Sequence, residues 1–271
     1  MSRSYLFIPG NTPSMIQNLD VFESDCVIID FEDSVMTHDK DAARILVANF
    51  LSMYEFDKTD VYLRINSEDS EYFLEDVLVT SDLPIKGYVL PKAMPHSIDR
   101  LRELTDKPVI PIIESPKAFL SAELIANKEN VIGLLLGAED FTKEMGTQRT
   151  IEGTEILYVR SKLAIVCNAY GIDSIDTPFT MKDNEEGLEI DCMNALNLGF
   201  TAKSSIHPNH IEMINSVFAP SANQINQSLR IIKKAETEQK GAFSLDGKMI
   251  DAPIIEKAKK VLEKAKKYNL L

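Results

Sequence analysis

The feature that most constrains this chain is the alternation of short apolar runs with stretches of helical periodicity. Eight runs are typical of strands, and between them apolar side chains recur every three or four positions, as they do along an amphipathic helix. The predicted strands are Tyr5–Ile8, Cys26–Phe31, Val61–Ile65, Gly87–Leu90, Val109–Ile113, Val131–Leu136, Ser174–Asp176 and Ala202–Ile206. The clearest predicted helices are Asp41–Met53, Glu155–Ala169 and Glu185–Leu198. This alternation indicates parallel strands joined by crossover helices.

Eight such units within about 215 residues predict an α/β fold, a closed (β/α)₈ TIM barrel. A doubly wound open sheet is the alternative, but polar residues end nearly every strand instead of gathering at one crossover point. After Pro220, two helix-like stretches, 221–240 and 252–268, flank a predicted turn or loop at 241–247. We therefore expect a barrel at residues 1–219 and a C-terminal helical extension with a lid segment at 220–271. The extension has too little apolar surface to fold alone.

The charge and the cysteine pattern of the chain exclude several classes of function. The 271 residues carry a net charge of −13, which argues against nucleic acids and membrane surfaces as partners. The three cysteines are scattered without a Cys-x-x-Cys pair, which favours reduced thiols and a cytoplasmic location. The apolar part of the N-terminal segment is too short for a signal peptide. The sequence contains no P-loop, Gly-x-Gly-x-x-Gly motif or Gly-x-Ser-x-Gly elbow.

Two carboxylates end apolar runs that have the length of buried strands. Glu114 follows Val109–Ile113, and Asp140 closes the run that begins at Val131. A carboxylate in the middle of a buried strand would lose its hydration, so we expect both side chains at strand ends, where parallel α/β folds place their chemistry. Mg²⁺ binds one or two carboxylates and leaves its other positions to water and substrate. Glu114 and Asp140 are therefore the predicted metal ligands.

Polar residues also follow most of the other predicted strands. They are Asp30, Glu32, Asp33, Arg64, Asn66, Lys92, Asp176, Lys203 and His207. A ring of acids with few bases is costly unless a metal and an anionic ligand balance it, so we expect Glu32, Arg64 and Lys92 to bind substrate. The planar fork of Arg64 suits a carboxylate bidentately. An ion pair of Arg64 with Asp30 or Glu32 is the alternative.

The segment Gly137–Asp140 joins the sixth predicted strand to the next helix. Its small residues, Gly137 and Ala138, let backbone N–H groups approach a substrate oxygen closely. A tight βα turn is the structural alternative, and both interpretations can hold together. We expect Glu139 to point away from the ligand or to reach a basic neighbour. The whole segment is assigned to the predicted substrate site.

Several of these residues lie in motifs that occur in a familiar order. The motifs are Leu6–Gly10, Ile29–Val35, Leu63–Asn66, Leu90–Lys92, Ile113–Ser115, Leu136–Phe141 and Gly199–Pro208. The series resembles the citrate lyase β-subunit-like family, relatives of malyl-CoA and citramalyl-CoA lyases within the HpcH/HpaI aldolase superfamily. The resemblance extends over nearly the whole chain. It implies a TIM barrel that uses Mg²⁺ to cleave or form a C–C bond in a 3-hydroxyacyl thioester.

The resemblance also implies roles for individual residues. Glu114 and Asp140 would bind the metal, Arg64 would bind the carboxylate of the oxo acid, and the backbone of Gly137–Asp140 would hold the other end of that acid. The segment Gly247–Pro253 matches a family motif that carries a catalytic aspartate, here Asp251. In the family the tail reaches over an adjacent subunit, which implies a homo-oligomer, a trimer or a hexamer.

The chemistry implied is a retro-Claisen cleavage into an oxo acid and an acetyl thioester. We expect Asp251 to transfer the proton of the thioester enolate. The thioester is a CoA or acyl-carrier-protein (ACP) derivative: malyl-CoA or citramalyl-CoA for a free-standing enzyme, citryl-ACP for a β subunit in a citrate lyase complex. A pyruvate-type aldolase that acts on free acids is a second enzymatic alternative. A scaffold or regulatory subunit without turnover is the non-enzymatic alternative.

Overall fold

The computed structural model of the chain describes residues 2–54, 56, 58–238 and 242–271. Within these ranges, eight parallel strands close into one barrel in chain order, with the first strand paired to the eighth. The barrel strands are β1 (Ser4–Pro9), β2 (Cys26–Asp30), β3 (Asp60–Arg64), β4 (Gly87–Leu90), β5 (Val109–Ile113), β6 (Gly133–Leu136), β7 (Asp173–Asp176) and β8 (Ala202–Ser205). The predicted TIM barrel is therefore confirmed. Strand β6 begins later than expected because Val131 makes only an isolated bridge to Val109.

Helices follow most of the barrel strands. In the described chain they are α1 (Pro13–Ile16), α2 (Lys40–Met53), α3 (Phe73–Thr80), α4 (Pro95–Arg102), α5 (Pro116–Leu120), α6 (Ala122–Ala126), α7 (Ala138–Glu144), α8 (Leu157–Tyr170), α9 (Glu185–Leu198), α10 (Ile211–Phe218), α11 (Ala222–Glu238) and α12 (Ala252–Lys267). Short 3₁₀ turns cover Leu19–Phe22, Thr37–Asp39, Thr154–Ile156 and Pro208–His210. Helix α8 starts two residues later than predicted because Glu155 belongs to the third of these turns. Among the described residues, no helix has the length and apolarity needed to cross a membrane.

The interior of the barrel is filled by side chains from the strands themselves. Tyr5, Ile28, Tyr62, Ile112 and Ala202 belong to one buried cluster that draws on β1, β2, β3, β5 and β8. Because all eight strands are parallel, their carboxyl ends lie at the same end of the barrel. The polar residues that follow the strands are thereby collected around one opening.

The described chain divides into two compact units, one ending at Asn215 and one spanning Ser216–Leu271. The boundary that we expect from the sequence at residue 219 stays a prediction. In the second unit, α11 and α12 pack with a small sheet around Ile231, Phe243, Ile250 and Ala258.

The prediction of a turn or loop at 241–247 is wrong in part. Strands β9 (Phe243–Leu245) and β10 (Lys248–Ile250) form an antiparallel hairpin, in which Phe243 packs into the small core. Its turn residues Asp246 and Gly247 have φ of +52° and +78°, the left-handed pair that suits a tight hairpin. Residue 241 and the end of the predicted helix at 239–240 lie outside the described residues.

Candidate active site

A cavity of about 430 Å³ opens among the carboxyl ends of the barrel strands. Its apolar lining includes Phe7, Ile112, Leu135 and Ile206. Its charged lining consists, in the described part of the chain, of five acids and one base: Asp30, Asp33, Glu114, Glu139, Asp140 and Arg64. The predicted metal ligands and the predicted substrate arginine therefore share one cavity. The excess of acids means that a bound cation would be stabilised there.

Glu114 directly follows β5 and is 7% exposed. Its Oε1 accepts the backbone N–H of Lys92, a residue held in the left-handed region at φ +49°. Burial raises the pKa of Glu114 to about 7, and the charges of Glu32 and Asp140 raise it further against the opposing hydrogen bond from Lys92. A buried carboxyl with this pKa and acidic neighbours is typical of a functional site that binds a cation.

Asp140 lies in the first turn of α7, directly after β6. Gly137 precedes this helix and lies so close to the neighbouring strand that a Cβ there would stand 2.6 Å from Cβ of Glu114 and 2.9 Å from Cγ2 of Ile112. Only glycine permits this approach. The close contact of the turn with Glu114 is what brings Asp140 to the same cavity. The side chain of Asp140 is 48% exposed and lies 3.8 Å from Nζ of Lys143.

The pair Glu114 and Asp140 fits a magnesium ion. Both ligands are hard carboxylate oxygens, and their mutual repulsion contributes to the raised pKa of Glu114, so a cation between them would relieve a cost already present. Among the described residues, no three His, Cys, Asp or Glu side chains converge to hold a metal by themselves. Two carboxylates with open positions for water and substrate are the arrangement that Mg²⁺ commonly uses.

Arg64 ends β3 and is held by the acids that follow β2. Its Nε and Nη2 donate to the two carboxylate oxygens of Asp30 at 2.6 and 2.7 Å. Nη1 lies 3.2 Å from Glu32 and 3.6 Å from Asp33. Burial alone would lower the pKa of Arg64, but the charge of Asp30 outweighs it and raises the pKa, so the guanidinium is charged. The structure therefore contains the predicted ion pair of Arg64, and its role as a substrate clamp stays a prediction.

Asp30 is the residue at this site that sequence reasoning left out of the substrate set. Its carboxylate accepts four hydrogen bonds, two from Arg64 and one each from the N–H groups of Glu32 and Ser34. Burial would raise the pKa of Asp30, but the charge and hydrogen bonds of Arg64 and the two N–H groups hold it below its usual value. Asp30 therefore fixes the orientation of Arg64. The parallel register that sets these two residues side by side was the signal that could have identified it.

Lys92 and Glu32 are brought together at the edge of this acidic group. Nζ of Lys92 lies 3.2 Å from Glu32, and its side chain is 61% exposed. Burial raises the pKa of Glu32, an effect that Arg64 and Lys92 oppose. The backbone N–H of Lys92 donates to Glu114, and its side chain pairs with Glu32. This lysine therefore connects a predicted metal ligand with a predicted substrate residue.

Glu139 reaches a basic neighbour, which is one of the two positions expected for it. Its Oε1 lies 3.5 Å from Nη1 of Arg149, and Nε of Arg149 lies 3.3 Å from Glu155. Glu139 nevertheless lines the cavity together with Gly137, Ala138 and Asp140. The segment Gly137–Asp140 thus comprises the N-cap residue and the first turn of α7 at the cavity wall.

Asp176 ends β7 and Lys203 lies within β8, and the structure places both in a buried charge cluster instead of the acid ring. Lys203 donates to Asp176 at 2.6 Å and to Asp191 at 2.7 Å. Arg160 donates to the same two carboxylates at distances between 2.6 and 2.9 Å. The side chains of Lys203 and Asp176 have no exposed surface. Arg160 and Asp191 lie on the buried faces of α8 and α9, a pattern visible in the sequence as charges within apolar helix stripes.

Asp251 belongs to the second compact unit. It precedes α12 as the N-cap residue, and its Oδ1 accepts the N–H of Ile254 at 3.3 Å. This cap is a structural role that the sequence analysis did not assign. The predicted catalytic role of Asp251 stays a prediction.

Comparisons with known proteins identify the family of this chain. Residues 3–208 match the family described as HpcH/HpaI aldolase/citrate lyase. The β subunit of citrate lyase from Haemophilus influenzae is 37% identical over 283 residues, covering 98% of this chain and 97% of that protein. The mitochondrial citramalyl-CoA lyase of Rattus norvegicus is 28% identical, covering 96% of this chain and 85% of that protein.

A solved structure shows the same architecture. The protein CitE from Mycobacterium tuberculosis, in complex with magnesium, acetoacetate and coenzyme A, superposes with a TM-score of 0.82 at 26% identity. The match covers 97% of this chain and 98% of that chain. Fold, motif order and sequence identity lead to the same conclusion: the chain belongs to the HpcH/HpaI aldolase/citrate lyase family.

Proposed function

We propose that this protein is a magnesium-dependent carbon–carbon lyase that cleaves a 3-hydroxyacyl thioester into an oxo acid and an acetyl thioester. The observation that carries the proposal is the convergence of Glu114, Asp140 and Arg64 on one cavity at the carboxyl end of the barrel. Relatives along the whole chain are a citrate lyase β subunit and a citramalyl-CoA lyase, and CitE was solved with magnesium and coenzyme A.

Glu114 and Asp140 would hold the metal. When bound, the metal supplies Lewis-acid stabilisation to the oxygen that becomes the carbonyl of the oxo acid. Burial raises the pKa of Glu114 to about 7, so without the metal its carboxyl is partly protonated near neutral pH, and the N–H of Lys92 keeps it oriented. The two residues thus define where the acid half of the substrate lies.

Arg64 would bind the carboxylate of the acid half. Asp30 occupies the Nε and Nη2 side of its fork, and Glu32 and Asp33 lie 3.2 and 3.6 Å from Nη1. A substrate carboxylate would therefore share the remaining N–H groups of the guanidinium with these two acids. The first turn of α7 adds N–H groups that have no partner within the helix. Glu32 lies 3.2 Å from Nη1 of Arg64 and 3.2 Å from Nζ of Lys92, so these two residues extend the charged group beside Arg64.

Cleavage requires one proton to leave the substrate hydroxyl and another to reach the enolate carbon of the thioester product. We assign the second transfer to Asp251, on the family motif around it. In this proposal the tail reaches the barrel of an adjacent subunit, and the active form is a homo-oligomer such as a trimer or a hexamer. We also propose a cytoplasmic location, because Cys26, Cys167 and Cys192 are all buried free thiols.

Two thioester classes are candidates for the substrate. The likeness to the citrate lyase β subunit of Haemophilus influenzae supports citryl-ACP, with this chain as one subunit of a complex. The likeness to citramalyl-CoA lyase and the coenzyme A bound in CitE support a CoA thioester and a free-standing enzyme. We favour the CoA thioester as the first substrate to test, because it requires no other subunit.

The proposal is tested with the purified chain, Mg²⁺ and a panel of malyl-, citramalyl- and citryl-thioesters, followed by mass spectrometry of the products. Glu114→Ala and Asp140→Ala should abolish Mg²⁺-dependent turnover. Glu129→Ala, which removes a carboxylate that is 87% exposed in the loop before β6, is the control and should retain it. Full wild-type activity in the presence of a chelator would refute the metal assignment.

A further inference from the structure

One hydrogen bond of Lys203 leaves the buried charge cluster and reaches the wall of the cavity. Its Nζ donates to the backbone carbonyl of Thr177 at 2.6 Å. An ammonium group has three donors, and the other two go to Asp176 and Asp191, so all three are used. Ser204 donates to the backbone carbonyl of Asp176 at 2.7 Å. Side chains of β8 therefore hold two successive carbonyl groups at the end of β7.

The hydroxyl of Thr177 in turn bonds the beginning of a different helix. Its Oγ1 accepts the N–H of Ala138, the first residue of α7, at 3.3 Å. The first N–H groups of an α-helix have no partner within the helix. Gly137, in the N-cap position, has no side chain that could accept this bond. Thr177, the residue directly after the neighbouring strand β7, supplies the cap that the local sequence does not.

This cap lies next to the predicted metal ligand. Asp140 is in the same helical turn as Ala138, so a displacement of the turn carries Asp140 with it. Thr177, Ala138 and Asp140 all line the cavity. A buried ion-pair cluster stabilises a fold little more than apolar side chains of the same volume would. Its hydrogen bonds do, however, restrict the backbone that they contact, here the backbone of Thr177.

We propose that Thr177, held in place by Lys203, is a positioning residue that caps α7 from β7 and thereby fixes Asp140 in the metal-binding arrangement with Glu114. The inference rests on the proposed function, because it concerns the ligands of the proposed magnesium site. It assigns a role in positioning a proposed metal ligand to the residue after β7, a strand that supplies no proposed metal ligand itself.

The test compares variants that differ at one hydroxyl. Thr177→Val removes the acceptor at nearly constant volume, and Thr177→Ser keeps it. Thr201→Val removes a half-buried hydroxyl directly before β8, where it accepts the N–H of Ser174. Two quantities are measured: Mn²⁺ affinity by electron paramagnetic resonance, as a probe of the metal site, and hydrogen exchange of a peptide covering 137–141.

Thr177→Val should weaken Mn²⁺ binding about fivefold to tenfold and speed exchange in 137–141 by a similar factor, the effect of one lost hydrogen bond. Thr177→Ser and Thr201→Val should stay within about twofold of wild type in both quantities. Should Thr177→Val fail to fold, Thr177→Ala replaces it, with the same expected results.

Wild-type Mn²⁺ affinity and wild-type exchange in Thr177→Val would overturn the inference. Equal weakening by Thr201→Val would also overturn it, because the effect would then be general to threonines that border these strands. If the wild-type protein bound no Mn²⁺, the proposed metal site would fail instead. Exchange at 137–141 would then still decide whether Thr177 caps the helix, and unchanged exchange would count against it.

Discussion

At the scale of the residue, Arg64 both forms an ion pair and lines the cavity, whereas the sequence presents the ion pair and substrate binding as alternatives. One side of its fork is bound by Asp30, which itself accepts four hydrogen bonds. The guanidinium still lines the cavity and its side chain is 14% exposed. A long, flexible side chain becomes a fixed donor because a buried carboxylate holds it, which is the preorganisation that binding an acid requires.

Removing the charge of Asp30 should therefore be costly. Asp30→Asn places an amide donor opposite a guanidinium donor and leaves Arg64 buried without its main counter-charge. We expect a loss of about 3 kcal/mol in the free energy of unfolding, measured by urea denaturation. Asp33→Asn, in which the replaced carboxylate is 65% exposed, is the matched control and should change it by less than about 0.5 kcal/mol. Equal stability of the two variants would contradict this account of Asp30.

The raised pKa of Glu114 predicts an unusual dependence of stability on pH. The pKa of Glu114 is about 7 in the folded chain, against an ordinary value of 4.5, so the folded chain binds this proton more tightly than the unfolded chain does. Proton binding by Glu114 therefore contributes its full stabilisation to the fold below pH 4.5, and this contribution is lost as the pH rises through 7. In chelator, the wild type should lose about 2–3 kcal/mol relative to Glu114→Gln between pH 5 and pH 8. Urea denaturation at several pH values measures this difference.

Added Mg²⁺ should restore the stability of the wild type at pH 8, because a cation favours the charged carboxylate. It should leave Glu114→Gln nearly unchanged. Parallel pH profiles of the two proteins in chelator would show that Glu114 titrates normally.

At the scale of the element, helix starts decide where the functional carboxylates lie. Ser115 accepts the N–H of Ala118 at 3.0 Å and is followed by Pro116, so α5 begins directly after Glu114. Helix α7 begins at Ala138, and its N-cap residue is Gly137, where only glycine allows the close approach to Glu114. Each carboxylate is thus held at a junction of strand and helix, where two rigid elements restrict it.

Helix α12 allows the structural role of Asp251 to be separated from its proposed catalytic role. Asparagine is as good an N-cap as aspartate, whereas alanine is poor. Asp251→Asn should therefore keep the thermal stability and lose most turnover, and Asp251→Ala should also lose about 1 kcal/mol of stability. Thermal unfolding and the thioester assay measure the two effects. Normal turnover of Asp251→Asn would exclude the proton-transfer role.

At the scale of the whole molecule, the chain comprises a barrel with the cavity and a smaller helical unit that carries Asp251. The proposed reaction needs residues from both. If the tail serves an adjacent subunit, two different inactive variants can complement each other within one oligomer, because one supplies an intact barrel and the other an intact tail.

Co-expression of Glu114→Ala with Asp251→Asn tests this arrangement. Half of the barrels and half of the tails are intact, so random assembly should restore about a quarter of wild-type activity. Each variant expressed alone should stay inactive and serves as the control. No recovery in mixed oligomers, verified by two affinity tags, would indicate that the tail acts on its own barrel.

Much of the fold could be predicted because it depends on local pattern. Apolar runs and helical periodicity are properties of neighbouring residues, and they were sufficient to identify the eight barrel strands and helix α9. The hairpin at 243–250 was missed because its strands are three residues each, too short to show alternation. Their pairing depends on the apolar surface of α11 and α12, which the run itself does not reveal.

The barrel, the family and the presence of carboxylates at strand ends follow from periodicity and motif order, so they can be predicted from the amino-acid sequence. Which charges meet depends on the three-dimensional fold. Asp30 binds Arg64, whereas Asp176 and Lys203 turn to Arg160 and Asp191 and leave the acid ring. The physical reason is that a charge's partner is set by strand register and by helix packing across long sequence separations, and the energy of burying it depends on that partner.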